Sequence, residues 1–164
     1  MELKISTNIK ELEKLIARYP QAAHDAQVSR VTEASLFMEG VIKNDTPVGA
    51  GPYHLRDTIF QKVQTYGESV WGIVATPAKY GEPVELGTRP HFPPVKPLQY
   101  WVEKRLGLSG KEAKAVAFLI ARAISRRGTD PRKMFTGNVE KHEATVLRIL
   151  EQIPADIIRQ VKGN

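Results

Sequence analysis

Histidines are the residues of this chain best suited to metal binding or acid–base catalysis, because it contains four of them and no cysteine. His54 and His91 lie in segments rich in glycine and proline, where loops are expected. A metal site or a hydrolase dyad would require these two side chains to converge with a carboxylate. The candidate carboxylates are Asp45, Asp57 and Glu85.

The remaining polar residues match no catalytic or nucleotide-binding motif. His24 and His142 lie within helical patterns beside acidic residues, which favours exposed, solvated side chains. The sequence Gly49-Ala-Gly51 precedes a proline and no Gly-Lys-Ser/Thr follows it, so it is not a phosphate loop. Glu82 and Glu85 would share a face over one helical turn, but the prolines around them favour solvated carboxylates. We therefore expect no enzyme, no cofactor and no metal site.

The elements that must position these residues form an α+β pattern. At 164 residues the chain has the length of a single domain, 1–164. We divide it into an N-terminal helical arm over 1–43, a hairpin with a proline-rich loop over 55–94, and a helical part over 97–162. Apolar residues recur at helical spacing on both sides of Pro20, which predicts one long kinked helix or two helices that meet there. The expected fold is a small antiparallel sheet, built on a β-hairpin and packed with a long N-terminal helix and C-terminal helices.

The hairpin is predicted from two strand-like runs around a turn at 67–69. Residues 58–66 form the first run and residues 70–76 the second. In the second run, Trp71 and Ile73 point to one face while Val70 and Val74 point to the other. Because both faces are apolar, we expect this strand to be covered on both sides, in the middle of a sheet or against helices.

Glycines and a capping motif delimit the helices that follow. Gly107 closes a short helix that begins at Leu98, and Gly128 ends the next helix. Ser109 and Glu112 have the spacing of a capping box, in which the serine side chain accepts a bond from a backbone N–H of the first turn. The buried stripe of the second helix is predicted to comprise Ala113, Val116, Ala117, Ile120 and Ile124.

The chain is basic, with 24 Lys and Arg against 18 Asp and Glu and an isoelectric point near 9.6. The densest cationic piece runs from Arg122 to Arg127 and is followed by Arg132 and Lys133. One interpretation is a solvated helix end, where cations also suit the negative end of the helix dipole. The other is a contact with a polyanion, which leads to the alternative function of a basic nucleic-acid-binding accessory protein.

Neither the first residues nor the apolar runs of the sequence predict a membrane protein. The first residues lack the basic-then-apolar layout of a signal peptide. The longest apolar run, 115–121, is far shorter than the roughly 18 residues that a membrane span needs. We expect no membrane partner and a cytoplasm-like compartment.

Segment 80–94 is the most distinctive in the chain. Its four prolines fix φ and lack a backbone N–H, so we expect neither a regular helix nor a central strand to run through it. A flexible tether would instead be rich in glycine and serine. The segment therefore predicts a shaped loop that presents some feature, and not a linker.

Three pieces of the chain together resemble a known family. The pieces are Thr46-Pro-Val-Gly49 with Leu55-Arg56 and Ile59, then Ala78-Lys-Tyr80 leading to Val84-Glu-Leu-Gly-Thr88, then Arg89-Pro-His-Phe-Pro-Pro94. They look like the minor tail-component family of long-tailed double-stranded DNA bacteriophages and prophages, the tail-completion or head–tail joining proteins. The resemblance covers residues 30–135, and its most specific part is the Glu-x-Gly-Thr sequence at 85–88.

The resemblance implies a virion structural protein of the neck or upper tail, without catalysis, present in the host cytoplasm during assembly. Its implied partners are further copies in a ring, the tail-tube or terminator protein and head connector proteins, with a weak DNA contact as a further option. The implied family-motif or interface residues are Leu55, Arg56, Tyr80, Glu85, Gly87, Thr88, Pro90, His91 and Phe92.

Within the most specific motif, the resemblance implies a role for each residue. Leu86 would plug the loop against the core, and Gly87 would permit a turn of positive φ that Thr88 closes. Glu85 would form a hydrogen bond or pair with a neighbour such as Arg56. Two alternatives stay open, since the turn either closes only the core of its own domain or contacts another copy.

Overall fold

The computed structural model of the chain describes residues 9–49 and 54–162, and its α+β class confirms the expected one. In this part of the chain, eight helices and two strands follow one another. They are α1 (Ile9–Arg18), α2 (Pro20–Asp45), α3 (Leu55–Thr58), β1 (Phe60–Tyr66), β2 (Ser69–Ala75), α4 (Gly81–Leu86), α5 (Val95–Leu106), α6 (Gly110–Arg127), α7 (Thr136–Leu150) and α8 (Ile153–Lys162). Residues 1–8, which belong to the expected arm, lie outside the described residues. So do residues 50–53, which include Gly51.

From residue 9 onward, the N-terminal arm consists of two helices that meet at Pro20. Tyr19 separates α1 from α2, so the two-helix alternative is the correct one. Proline suits the first position of a helix, because the N–H that it lacks would have no partner within the helix. The first bond of α2 runs from the Ala23 N–H to the Tyr19 carbonyl oxygen at 2.9 Å. From there α2 extends over 26 residues, or about 39 Å.

The predicted β-hairpin is confirmed. β1 and β2 pair antiparallel from Phe60↔Ala75 to Tyr66↔Ser69. The two-residue turn between them begins at Gly67, whose φ of +59° suits a tight hairpin turn.

The second strand is covered on one face only, so the expectation of cover on both faces is wrong. Gly72 lies so close to Val31 and Ser35 of α2 that a Cβ would overlap the serine side chain. On the opposite face Trp71 is 54% exposed. The sheet of the described residues has two strands, so β2 is not a central strand. Alternating apolar residues do not distinguish a strand that is covered on both sides from one that leaves an aromatic face exposed.

The chain divides into two compact units. The first combines Met1–Val41, Phe60–Ala75 and Asn138–Asn164, and the second combines Ile42–Ile59 and Thr76–Gly137. In the core of the first unit, Ala23 and Ala26 of α2 pack with Ile157 of α8, and all three are at most 1% exposed. Beside this core Arg30 bonds Asp156 at 2.5 Å.

In the second unit, α5 and α6 pack against each other. Val102 of α5 packs against Ala113 and Ala117 of α6, and all three are fully buried. Alanines four positions apart lie on one helical face and let the neighbouring helix approach closely. The predicted stripe of α6 is confirmed, because Val116 and Ile120 pack at the edges of this cluster and the rest of the stripe is at least half-buried.

The predicted ends of α5 and α6 are confirmed, but the capping box is not. Gly107 caps α5 in the left-handed conformation, and the N–H of Gly128 bonds the Ile124 carbonyl oxygen at 2.8 Å. Ser109 holds the N-cap position of α6, yet its side chain makes no capping bond. The residue directly after it, Gly110, has a φ of +55°, which lies outside the helical range that a capping box assumes.

The expectation that no helix crosses segment 80–94 is wrong at its start. Residues Gly81–Leu86 form α4, with Pro83 as its third residue. The first residues of a helix have no intrahelical partner for their N–H groups, so proline is tolerated there. Residues 87–94 contain no helix and no strand of the sheet.

Candidate functional site

One buried carboxylate fastens segment 80–94 to the beginning of α7. Glu85 belongs to α4 and is 9% exposed. Its Oε2 accepts a hydrogen bond from the N–H of Phe135 at 2.9 Å. Its Oε1 accepts from the N–H and from the hydroxyl of Thr136, at 2.9 and 2.8 Å. Both oxygens therefore close the N-terminus of a helix that lies 50 residues further along the chain.

The charge of Glu85 suits this position. A helix N-terminus presents N–H groups without intrahelical partners and the positive end of the helix dipole. Burial raises the pKa of Glu85, but hydrogen bonds from the backbone of Phe135, Thr136 and Met134, and from the Thr136 hydroxyl, outweigh burial and lower the pKa below its ordinary value. The carboxylate is therefore ionised at neutral pH.

These contacts decide the two expectations for Glu85. The expectation of a solvated carboxylate is wrong for Glu85, whereas Glu82 is exposed. The expected hydrogen bonding of Glu85 is confirmed, but the donors are the backbone and hydroxyl at the start of α7. Arg56, the example of a partner, is not among them.

The segment before α7 returns hydrogen bonds to α4. The N–H of Arg132 donates to the Val84 carbonyl oxygen at 3.0 Å, and the N–H of Lys133 donates to the Glu85 carbonyl oxygen at 3.1 Å. These carbonyls lie in the last turn of α4, where acceptors have no partner within the helix. The end of α4 and residues 132–136 therefore satisfy each other's backbone groups.

The Gly-Thr half of the motif pairs with a second Gly-Thr sequence. Thr88 and Thr129 exchange two backbone hydrogen bonds at 3.1 and 3.2 Å, and their hydroxyl oxygens lie 3.0 Å apart. Gly87 has a φ of +72°, which confirms the expected turn of positive φ. A Cβ on Gly87 would overlap the Thr129 carbonyl oxygen, and a Cβ on Gly128 would overlap that of Thr88. The backbone segments 87–88 and 128–129 cross so closely that glycine is required at both Gly87 and Gly128; this contact is the Gly87–Gly128 crossing.

Residues 89–94, the proline-rich arm, follow the contact between Gly87 and Gly128. They include Pro90, His91 and Phe92. All three are exposed. The Nδ1 of His91 lies 2.9 Å from the carbonyl oxygen of Arg89, a bond local to the turn. The ring of Phe92 lies 6.0 Å from that of Phe118 on α6, centroid to centroid. The arm is thus attached to α6 by one aromatic contact.

Leu86 faces an open cleft, so the expectation that it plugs the loop against the core is wrong. Its side chain is 63% exposed. Successive residues of a helix point about 100° apart, so the orientation that buries Glu85 turns Leu86 outward. The cleft has a volume of about 430 Å³, and its lining includes Thr76, Lys79, Glu82, Leu86 and Phe135. Tyr80, the N-cap residue of α4, is exposed.

The first two pieces of the motif meet at Leu55. Leu55 of α3 is buried, and a Cβ on Gly81 would lie 3.5 Å from its Cδ1. The hydroxyls of Thr58 and Thr76 lie 2.7 Å apart and join α3 to the segment before α4. Leu55 therefore has a packing role, and Arg56 beside it is half-buried.

The histidines do not assemble a metal site in the part of the chain that the structure describes. No group of three histidine or carboxylate side chains with suitable geometry occurs there. His24 is exposed as expected, but His142 is half-buried and packs edge-on against Phe37 at 5.3 Å. The expectation for His142 is therefore wrong, because an aromatic neighbour 105 positions away cannot be seen in its local pattern.

Sequence reasoning missed the partners of the motif, namely residues 128–136. The second Gly-Thr pair at Gly128 and Thr129 was a signal, since it repeats the Gly87-Thr88 sequence. Thr136 donates a hydrogen bond to Glu85, but nothing in the sequence indicates this contact. A hydrogen bond between residues 51 positions apart leaves no periodic pattern.

No family model, curated protein or solved structure matches this chain, so the family resemblance rests on the residues that carry it. None of the described helices has the length and apolar character needed to cross a membrane.

Proposed function

We propose that this chain is a virion structural and assembly protein of the neck or upper tail of a long-tailed bacteriophage or prophage. In this role it completes the tail or joins head to tail, acts without catalysis, and associates with further copies in a ring. The three motif pieces that resemble the minor tail-component family support the proposal. The partners implied are the tail-tube or terminator protein and the head connector proteins.

The observation that supports association most directly is the aromatic face of the hairpin. In the antiparallel register Phe60, Tyr66 and Trp71 point to the side opposite Gly72, and each is exposed. The Tyr66 and Trp71 rings meet edge-on at 6.4 Å. Aromatic residues are enriched at protein–protein interfaces relative to the rest of the surface. Association would cover this face.

The Glu85 contacts support a structural role for the motif. The carboxylate that would be the best candidate for proton transfer has both oxygens committed to the start of α7. A carboxylate engaged in this way holds the segment that carries it against the start of α7. In the proposed role, segment 80–94 presents its residues 89–94 to a neighbouring subunit.

The test combines solution association with particle assembly. We expect the chain to form oligomers at high concentration, alone or with tail components, as measured by light scattering after size exclusion. Trp71→Ser should weaken this association, while the control Tyr100→Ser, an exposed aromatic on α5, should not. In a phage that carries the gene, its deletion should leave unjoined heads and tails in electron micrographs. Joined particles from the deletion strain, or no association under any of these conditions, would contradict the proposal.

A further inference from the structure

The outward face of α6 is cationic along its whole length. Positions 111, 114, 118, 122 and 126 are separated by three, four, four and four residues, and such spacing places them on one side of a helix. Lys111, Lys114, Arg122 and Arg126 occupy four of these positions, and all four are exposed. The fifth is Phe118, also exposed. The cations span about 22 Å along the helix axis.

These charges are not neutralised within the chain. The single carboxylate of α6 belongs to Glu112, which points about 100° away from Lys111. Among the residues that the structure describes, none of the four cations takes part in a salt bridge or stacks on an aromatic ring. The face therefore has one sign of charge over about four turns.

The helix dipole explains only part of this arrangement. Arg122 and Arg126 lie near the C-terminus, where cations are favourable. Lys111 and Lys114 lie in the first two turns, where the dipole disfavours positive charge. A face that keeps cations at both ends is better explained by a ligand that is itself an extended polyanion.

Two observations favour DNA over a lipid surface. The apolar face of α6 is already buried against α5 through Ala113 and Ala117, so it is not available for insertion into a bilayer. On the outward face, the Phe118 ring contacts Phe92 and is therefore partly occupied. The charged groups of this face are ammonium and guanidinium groups, which bind phosphate oxygens.

We propose that the outward face of α6 binds the phosphate backbone of double-stranded DNA without reading base sequence. Double-stranded DNA carries one charge per about 1.7 Å of its axis, so several phosphates lie within reach of a 22 Å row of cations. The arginines donate bidentate bonds to phosphate oxygens, and the lysines contribute point charges. This contact depends on α6 alone and stands whether or not the protein assembles into a virion.

The test measures the binding of the whole protein to a fluorescein-labelled 30-base-pair duplex by anisotropy at several KCl concentrations. With four phosphates neutralised, the logarithm of the affinity should fall with the logarithm of salt concentration at a slope of about −3.6. Between 50 and 200 mM KCl this slope corresponds to a loss of about 150-fold. Duplexes of unrelated sequence should bind equally well.

Matched charge reversals locate the contact. Lys114→Glu with Arg122→Glu should weaken binding about tenfold or more at 100 mM KCl and should roughly halve the slope. The control, Lys62→Glu with Lys141→Glu, makes the same change in net charge at exposed positions of β1 and α7 and should have a much smaller effect. Arg122→Gln with Arg126→Gln provides a second, milder variant, and thermal melting followed by circular dichroism confirms that each variant folds.

Three results would overturn the proposal. The first is no duplex binding by the unmodified protein at 50 mM KCl. The second is an equal loss of affinity in the control and in the α6 variants, which would indicate net charge in place of a defined face. The third is binding to anionic phosphatidylglycerol vesicles without binding to DNA, which would assign the face to a membrane.

Discussion

Glu85 and Thr136 are joined by two hydrogen bonds to the same carboxylate oxygen, one from the threonine N–H at 2.9 Å and one from its hydroxyl at 2.8 Å. The other oxygen receives the N–H of Phe135. A side chain on the six-residue helix α4 thus caps α7, and the cap fixes the segment that precedes the proline-rich arm. The free energy of unfolding of Glu85 variants therefore measures how much this cap contributes to stability.

Replacing Glu85 should destabilise the protein in proportion to the bonds that are lost. Glu85→Gln keeps one oxygen acceptor but loses the charge, and we expect it to lower the free energy of unfolding by about 1–2 kcal/mol. Glu85→Ala leaves the N–H groups at the start of α7 without this acceptor and should cost about 2–4 kcal/mol. Urea denaturation followed by circular dichroism measures both.

The neighbouring carboxylate provides the control for Glu85. Glu82 lies on the same helix but is exposed, so Glu82→Gln should change the free energy of unfolding by less than about 0.5 kcal/mol. Equal effects at the two positions would show that the carboxylate of Glu85 is not a cap.

The stabilisation by Glu85 should depend on pH in one direction. Its pKa is lowered in the folded state, so its contribution is fully present above the unfolded pKa of about 4.3 and is lost as the pH falls through the folded pKa. The difference in unfolding free energy between the unmodified protein and Glu85→Gln should be constant above about pH 5.5 and should shrink below about pH 4. A difference that grows on acidification would contradict the capping role.

The sequence predicted features that depend on one or two neighbouring residues. Pro20 cannot sit inside a helix without cost, so it marks a boundary wherever it occurs, and the structure places that boundary between Arg18 and Pro20. Gly67, Gly107 and Gly128 likewise adopt positive φ at the ends that were predicted for their elements. Local backbone chemistry decides these positions.

The candidate site could be predicted only in part, because its partners are distant in sequence. Glu85 binds residues 50 and 51 positions away, and Thr88 pairs with Thr129 at a separation of 41. The orientation of Leu86 was mistaken for a related reason. The proline content of segment 80–94 predicts a loop, but the start of the segment is helical, and the helical phase buries Glu85 and exposes the residue after it.

The Gly87–Gly128 crossing should tolerate no side chain. Gly87→Ala would combine a strained positive φ with overlap of the Thr129 carbonyl, and we expect a loss of about 2–4 kcal/mol in the free energy of unfolding. Gly107 offers a matched control, because it has a similar φ of +69° and no atom within 4 Å of the added Cβ. Gly107→Ala should cost only about 1–2 kcal/mol. Thermal or urea denaturation distinguishes the two, and equal losses would mean that close approach contributes nothing.

The ion pair between Arg30 and Asp156 should stabilise the first unit, because both side chains are largely buried, at 16% and 12% exposure. The hydrogen bond from Arg30 lowers the pKa of Asp156 against the effect of burial, and the charges of Arg30 and Arg159 act in the same direction. Asp156→Asn leaves the guanidinium with only the exposed carboxylate of Glu33 as a counter-charge, so we expect a loss of about 2–4 kcal/mol in the free energy of unfolding.

A double-mutant cycle tests whether this loss belongs to the pair itself. Arg30→Met combined with Asp156→Asn should cost less than the two single changes together, with a coupling of about 1–3 kcal/mol. Glu33 also bonds Arg30, at 2.8 Å, but its side chain is 52% exposed, so Glu33→Gln should cost less than about 0.5 kcal/mol. If the single losses at Arg30 and Asp156 simply added, the two side chains would act independently, and the short bond between them would not be the source of the stability.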